Sequence, residues 1–212
     1  MTQRNIIVGM TGASGAAYGL RLIEKLLHAN VIVHLVLSDA ARIVLKQECD
    51  VCLPDGQKET AQYLAAHVHA DAYAHQLHSY GTHDWFSPVA SGSSGMELMV
   101  IAPCSMGTLA SIAQGLSNQL LERAADVMLK EHKPLILMPR ETPLSAIHLE
   151  HMLKLARLGV HIMPAMPAFY HRPKTLDDVV DFMVARVLDH AKVEQQTSQR
   201  WGMPNGNLTK QN

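Results

Sequence analysis

Cations, hydroxyls and one carboxylate recur along this 212-residue chain at the points where apolar runs stop. Arg123 and Lys130 lie seven residues apart, two turns along one face of a helix. Arg140 closes an apolar run, and Arg186 sits beside the stripe Leu176, Val179, Met183 and Val187. Arg172 and Lys174 follow Tyr170. A guanidinium grips a phosphate through a planar fork, so these cations would suit an anion if the fold gathers them. Scattered surface charge is the ordinary alternative, and each cation taken alone reads that way. Glu141, between Arg140 and a Thr-Pro turn, could act as a general acid or base, or simply close a salt bridge. Ser38, Ser105 and Thr108, with Gly107, stand just past apolar runs. They could cradle a phosphate or a ribityl chain beside Ser14, or do no more than cap helices.

The stretch Val8-Gly9-Met10-Thr11-Gly12-Ala13-Ser14-Gly15-Ala16 follows an apolar run and leads into a helical pattern over residues 18–28. Strand, glycine turn and helix N-terminus together offer unpaired amides and a positive dipole end, with hydroxyls from Thr11 and Ser14. A phosphate is the natural guest, and a purely structural turn is the alternative. The glycines read Gly9-x-x-Gly12-x-x-Gly15 rather than G-x-G-x-x-G. Asp39, just past the second apolar run, keeps a nicotinamide reading weakly alive, but a mononucleotide fits the short turn better. Cys49 and Cys52 form a C-x-x-C that follows a helix instead of opening one, and no second pair completes a zinc site. The pair reads as incidental. His67, His69, His148 and His151 read as surface histidines. No metal site is expected.

These residues need a scaffold of alternating apolar runs and amphipathic helices. Strands are expected at 5–10, 31–37, 98–102, 135–138 and 160–163, with a weaker one at 75–79. Helices are expected at 18–28, 40–48, 62–69, 105–113, 118–131 (capped by Asn118), 145–158 and 175–192. Strands separated by helices predict an α/β fold, a single-domain doubly wound parallel sheet whose ligands bind at the carboxyl ends of the strands. The domain is expected over 1–193, followed by a polar, partly flexible tail, 194–212. Residues 80–95 form a long irregular stretch of the kind that is functional or disordered. Hydrophobic residues at 48% and charged ones at 17% read as globular, and a net charge of -1 gives no footprint for nucleic acid. Thirteen histidines against 18 Lys and Arg could turn the surface cationic below neutral pH. No apolar run has the length of a membrane span. Three cysteines and no signal peptide predict a reducing cytoplasm.

Several motifs in order resemble those of the UbiX-type flavin prenyltransferases. They are Thr11-Gly12-Ala13-Ser14-Gly15, Ala90-Ser91-Gly92-Ser93, Pro103-Cys104-Ser105-Met106-Gly107-Thr108-Leu109 and Glu122-Arg123-Ala124-Ala125-Asp126-Val127. Pro139-Arg140-Glu141-Thr142-Pro143-Leu144 and Pro167-Ala168-Phe169-Tyr170-His171 complete the set. The resemblance implies a flavodoxin-like sheet and FMN bound between subunits of a homo-oligomer, typically a dodecamer. It implies transfer of a dimethylallyl group from dimethylallyl monophosphate to N5 and C6 of reduced FMN, without a metal. The prenylated FMN would serve a UbiD-type decarboxylase, and in many bacteria ubiquinone synthesis.

Carried over by motif, Gly12, Ala13, Ser14, Ser38, Ser105, Met106, Gly107, Thr108 and Arg140 would hold FMN. Arg123, Lys130, Tyr170 and Arg186 would hold the donor phosphate, with Ser91 on the substrate side. Glu141 would shuttle a proton to the departing phosphate, and Ser14 and Glu48 would move protons at N5. Trp85, with Trp201 from the tail, would line the prenyl pocket, where π faces steady an allylic cation. Related flavin-dependent cysteine decarboxylases rely on an Asn where this chain has Gly107, and on a Pro-x-Met-Asn motif that it lacks. Decarboxylation is the alternative activity, and a non-catalytic flavin carrier the alternative from another class.

Overall fold

The computed structural model describes residues 3–194. Six strands form one parallel sheet: β1 (Asn5–Met10), β2 (Ile32–Leu37), β3 (Leu77–Tyr80), β4 (Leu98–Cys104), β5 (Leu135–Pro139) and β6 (His161–Ile162). Their spatial order is β3-β2-β1-β4-β5-β6. Without the short edge strand β3, this is the 2-1-3-4-5 order of flavodoxin-like folds. The order reverses between β1 and β4, so the crevice at their carboxyl ends is the place for a ligand.

Alternation along β1 explains the two layers. Ile6, Val8 and Met10 face one core with α1 (Ala16–His28) and α7 (Leu176–His190), together with α2 (Asp39–Cys49) and α3 (Gln57–His67). Ile7 joins the opposite core with Met99 and Ile101 of β4, α4 (Met106–Gln114) and α5 (Leu120–Lys130), and α6 (Ala146–Arg157) contributes Leu155. On α1 the residues at helical spacing, Leu20, Ile23, Leu26 and Leu27, are all buried. Each such side chain stabilises the fold by roughly 1.5–3 kcal/mol.

The expected elements are present, with shifted ends. The doubtful helix of the 58–79 segment starts earlier, at Gln57. The expected last strand shrinks to two residues. Asn118 is not the cap of α5: Gln119 holds that position without a side-chain bond, and the Asn118 amide donates to the Glu122 carboxylate at 2.7 Å. Ser145 and Thr175 do cap α6 and α7, each closed into a box by the residue three positions on, His148 and Asp178. The expected tail, Trp201 included, lies outside the described residues apart from Glu194. Among the described residues no helix is long and apolar enough to cross a membrane.

Candidate functional site

The carboxyl ends of β1 and β4 are stapled together by Thr11. Its hydroxyl donates to the Pro103 carbonyl at 2.9 Å and accepts from the Ser105 amide at 2.7 Å. Thr11 is buried, so this hydroxyl, read from sequence as a ligand donor, is spent on the scaffold. Gly12 brings the turn against α2, where a Cβ would fall 2.5 Å from the Ala40 methyl. Gly15 opens α1 with φ 111°, a conformation open to glycine and strained for other residues.

The amides at the start of α1 already hold an anion. Glu48, from the last turn of α2, accepts from Gly15 N–H at 2.9 Å and from Ala16 N–H at 3.0 Å. Partial burial disfavours its charge. Hydrogen bonds from the Ser14 hydroxyl and the two amides, and the nearby Arg140 guanidinium, outweigh that and lower the Glu48 pKa. Arg140 also points its Nε at the Ser14 carbonyl, 3.4 Å away. Ser14, Glu48 and Arg140, collected from three distant segments, therefore form one group at the crevice. The expectation of a phosphate on these amides meets a carboxylate instead.

The start of α4 is different. Ser105 caps it, accepting from Thr108 N–H at 3.2 Å and sharing a 3.0 Å contact with the Thr108 hydroxyl. The Ser105 amide goes to Thr11, while those of Met106 and Gly107 have no partner among the described residues. A Cβ at Gly107 would meet nothing within 4 Å, so packing gives no reason for a glycine here. Free amides, a hydroxyl pair and an open face at a helix N-terminus suit the phosphate or ribityl end of FMN. Ser38 caps α2 in the same manner, accepting from Ala41 N–H at 3.1 Å, which leaves its own proton for a ligand. The capping and ligand readings of these serines are thus compatible. Glu141, beside Arg140, is exposed and, among the described residues, accepts only from its neighbour Thr142 N–H, at 3.1 Å. Cys104 lies in the core just below, where burial pushes its thiol up to about 12, so it is no nucleophile at neutral pH.

The expected donor-phosphate residues fall into two further groups. Arg123 donates to the Ala90 carbonyl at 3.2 Å and pairs with Asp126 at 2.8 Å, while Lys130 pairs with Glu131. Lys133, which sequence reasoning did not single out, holds the Gly92 carbonyl at 3.3 Å, and Ser91 meets Ser93 at 3.0 Å in the same loop. No sequence signal marks Lys133, because a loop carbonyl can be anywhere. This group belongs to α5, which starts near Thr82 past the carboxyl end of β3 and runs back towards the amino ends, where Lys130 sits shortly before β5. Tyr170 and Arg186 belong to the opposite layer. Tyr170 meets Phe182 of α7 edge-on at 5.8 Å, and Arg186, one turn on, pairs with Asp189 at 3.1 Å. The sheet lies between α5 and α7, so one protomer does not gather the four residues. Trp85 is 43% exposed and neighbouring Phe86 fully so, on a loop whose Thr82 carbonyl accepts from Leu120 N–H at 2.8 Å. Among the described residues, no group of three or more His, Cys, Asp or Glu side chains is placed to hold a metal. His148 and His151 are engaged locally, the first in the α6 cap and the second with Gln114.

Comparison with known proteins gives the family and the fold. Residues 1–188 match the Flavoprotein family. The flavin prenyltransferase UbiX of Pseudomonas aeruginosa is 50% identical over 197 residues, covering 93% of each chain. The crystal structure of AnUbiX in complex with FMN and dimethylallyl pyrophosphate superposes with a TM-score of 0.84 at 38% identity, covering 96% of this chain and all of the other. A dodecameric FMN-dependent UbiX-like decarboxylase from Escherichia coli O157:H7 gives 0.82 at 44% identity, covering 94% of this chain and all of the other.

Proposed function

The chain belongs to the UbiX flavin prenyltransferases, and on that premise we propose that it moves the dimethylallyl group of dimethylallyl monophosphate onto N5 and C6 of reduced FMN. The observation that carries the reading is the pairing of an open cradle at α4 with the Ser14–Glu48–Arg140 group beside it. FMN, when bound, supplies the nucleophilic positions and is itself the acceptor. The allylic C–O bond would break as the N5 bond forms, inorganic phosphate leaving and the N5 proton being lost. The C6 bond would then form as the prenyl double bond takes up a proton and C6 gives one up.

The residues have three tasks. Ser38, Ser105, Thr108 and the Met106 and Gly107 amides hold the FMN tail, while Gly12, Ala13 and Arg140 shape the place of the ring. Ser14, bonded to ionised Glu48, relays a proton away from N5. The bonds that keep Glu48 ionised also make it a weak base, so it passes the proton on rather than storing it. Glu141 delivers a proton to the departing phosphate, whose charge Arg123, Lys130, Tyr170 and Arg186 offset. Since α5 and α7 lie on opposite layers, these four act together where Arg123, Lys130 and Ser91 of one protomer face Tyr170 and Arg186 of a neighbour. That arrangement supports a homo-oligomer of the dodecameric kind. Trp85 lines the prenyl pocket there. The product would pass to a UbiD-type decarboxylase, and we place both steps in the cytoplasm.

Anaerobic incubation with reduced FMN and dimethylallyl monophosphate, or the diphosphate in parallel, tests this by mass spectrometry of the flavin. A flavin heavier by one five-carbon unit is expected. Bound but unmodified flavin with both donors would contradict it and favour decarboxylase or carrier activity, with cysteine-terminated peptides the next substrates to try.

A further inference from the structure

His171 is built into the fold in a way that packing alone does not explain. Its ring lies parallel to that of Phe182, centroids 4.9 Å apart and planes 6° from parallel. Tyr170 meets it edge-on at 5.7 Å, so Tyr170, His171 and Phe182 form one aromatic unit on α7. A phenyl ring would stack equally well. The imidazole instead places Nδ1 and Nε2 where neither reaches solvent nor has a hydrogen-bond partner among the described residues. Such buried, unsatisfied polar atoms each cost about 1–3 kcal/mol. The chain accepts that cost next to Tyr170 and against Phe182, which stands one helical turn before Arg186 on α7. The backbone at this point is bent: Arg172 has φ 54°, and its amide donates to the Phe169 carbonyl at 2.9 Å.

We infer that His171 is a further donor-phosphate residue, the third on the α7 side of the site, whose ring N–H turns to the anion once Tyr170 and Arg186 hold it. This rests on the prenyl-transfer reading and on the placement of the donor phosphate at those two residues. An N–H donor added to a guanidinium and a phenol gives the phosphate one more charge-assisted hydrogen bond. The move required is rotation of one side chain on a loop, with α7 fixed beneath it by the Thr175–Asp178 cap.

The test compares His171→Phe, His171→Gln and Tyr170→Phe in the FMN-loaded oligomer, reading KM for dimethylallyl monophosphate separately from kcat. His171→Phe keeps the stack and removes the nitrogens. It should raise KM tenfold or more with kcat within threefold, and His171→Gln, which retains an N–H, should recover most of the loss. An unchanged KM in His171→Phe while Tyr170→Phe raises it would overturn the role of His171 and leave the Tyr170 site standing. An unchanged KM in both would remove the site and the inference together. A change in assembly without a change in KM would assign the nitrogens to a subunit contact and also overturn the inference. If His171→Phe does not fold, His171→Gln decides against His171→Ala: equal KM values in those two would refute an N–H donor.

Discussion

Two helices start at the same crevice and meet their first turns in opposite ways. The amides opening α1 are closed by Glu48, and Gly12 beside them is pressed against Ala40. The amides opening α4 are only half used, and Gly107 faces space that no protein atom fills. Both are glycine-containing turns after a strand. Packing requires the first glycine and gives no reason for the second. A glycine-rich sequence therefore does not say where a phosphate sits. The distinction comes from what a side chain at each glycine would touch.

Substitution separates the two most sharply. Gly107→Leu should weaken FMN binding by about 100-fold or more, roughly 2.7 kcal/mol, with thermal stability little changed. Fluorescence titration with FMN reads this directly, and wild-type affinity would leave the α4 cradle without a ligand. Gly12→Ala should show the reverse emphasis. Its methyl collides with that of Ala40, so about 1–3 kcal/mol of folding stability should be lost in urea unfolding. Glu141→Gln belongs to neither turn and should leave FMN affinity intact while slowing prenyl transfer by about 100-fold or more. Unaltered turnover would remove Glu141 from the chemistry.

A smaller effect separates the buried face of the sheet from its rim. His34 on β2 is held between the Asn5 side-chain Oδ1 and the Tyr80 hydroxyl, each 2.9 Å away. Burial, aided by the His78 charge, lowers its pKa to about 4. The unfolded chain takes up this proton near pH 6.5 and the folded one only near 4. The contribution is thus complete above the unfolded value and is lost as pH falls through that window, by up to about 3 kcal/mol. His34→Gln should flatten this part of the stability–pH curve, and an identical curve would show that His34 does not cause it. Glu48, whose folded pKa is depressed, acts in the same direction at lower pH. Its contribution is full above the ordinary glutamate value and fades as pH falls through the folded one. Being exposed, it is worth less than about 1 kcal/mol, which Glu48→Gln should reveal in urea unfolding at pH 7.

Much of the scaffold is legible in the sequence, because apolar alternation and helical spacing are local. The strand from Asn5 to Met10 and the buried face of α1 follow from residue order alone. The ends are less so: β3 shows only a weak signal at 75–79, its true span set by pairing with β2, and Asn118 looks like a cap until Glu122 takes its amide. For the site, the motifs identified which residues to watch, but their grouping is a matter of distance in space. That Glu48 reaches Gly15 across 33 positions, or that Arg123 and Arg186 stand on opposite layers, depends on the sheet order and not on any local pattern.

The separation of α5 from α7 makes the central claim testable by mixing chains. Lys130→Ala and Arg186→Ala should each be nearly inactive alone. If neighbouring protomers complete one site, co-assembly of the two from a common refolded or co-expressed pool restores sites that carry both intact residues. Random pairing makes these roughly a quarter of the total, so activity should return to about that fraction of wild type. Mixtures no more active than either variant, with mixed oligomers demonstrated by mass, would contradict the account and place the whole donor site within one chain.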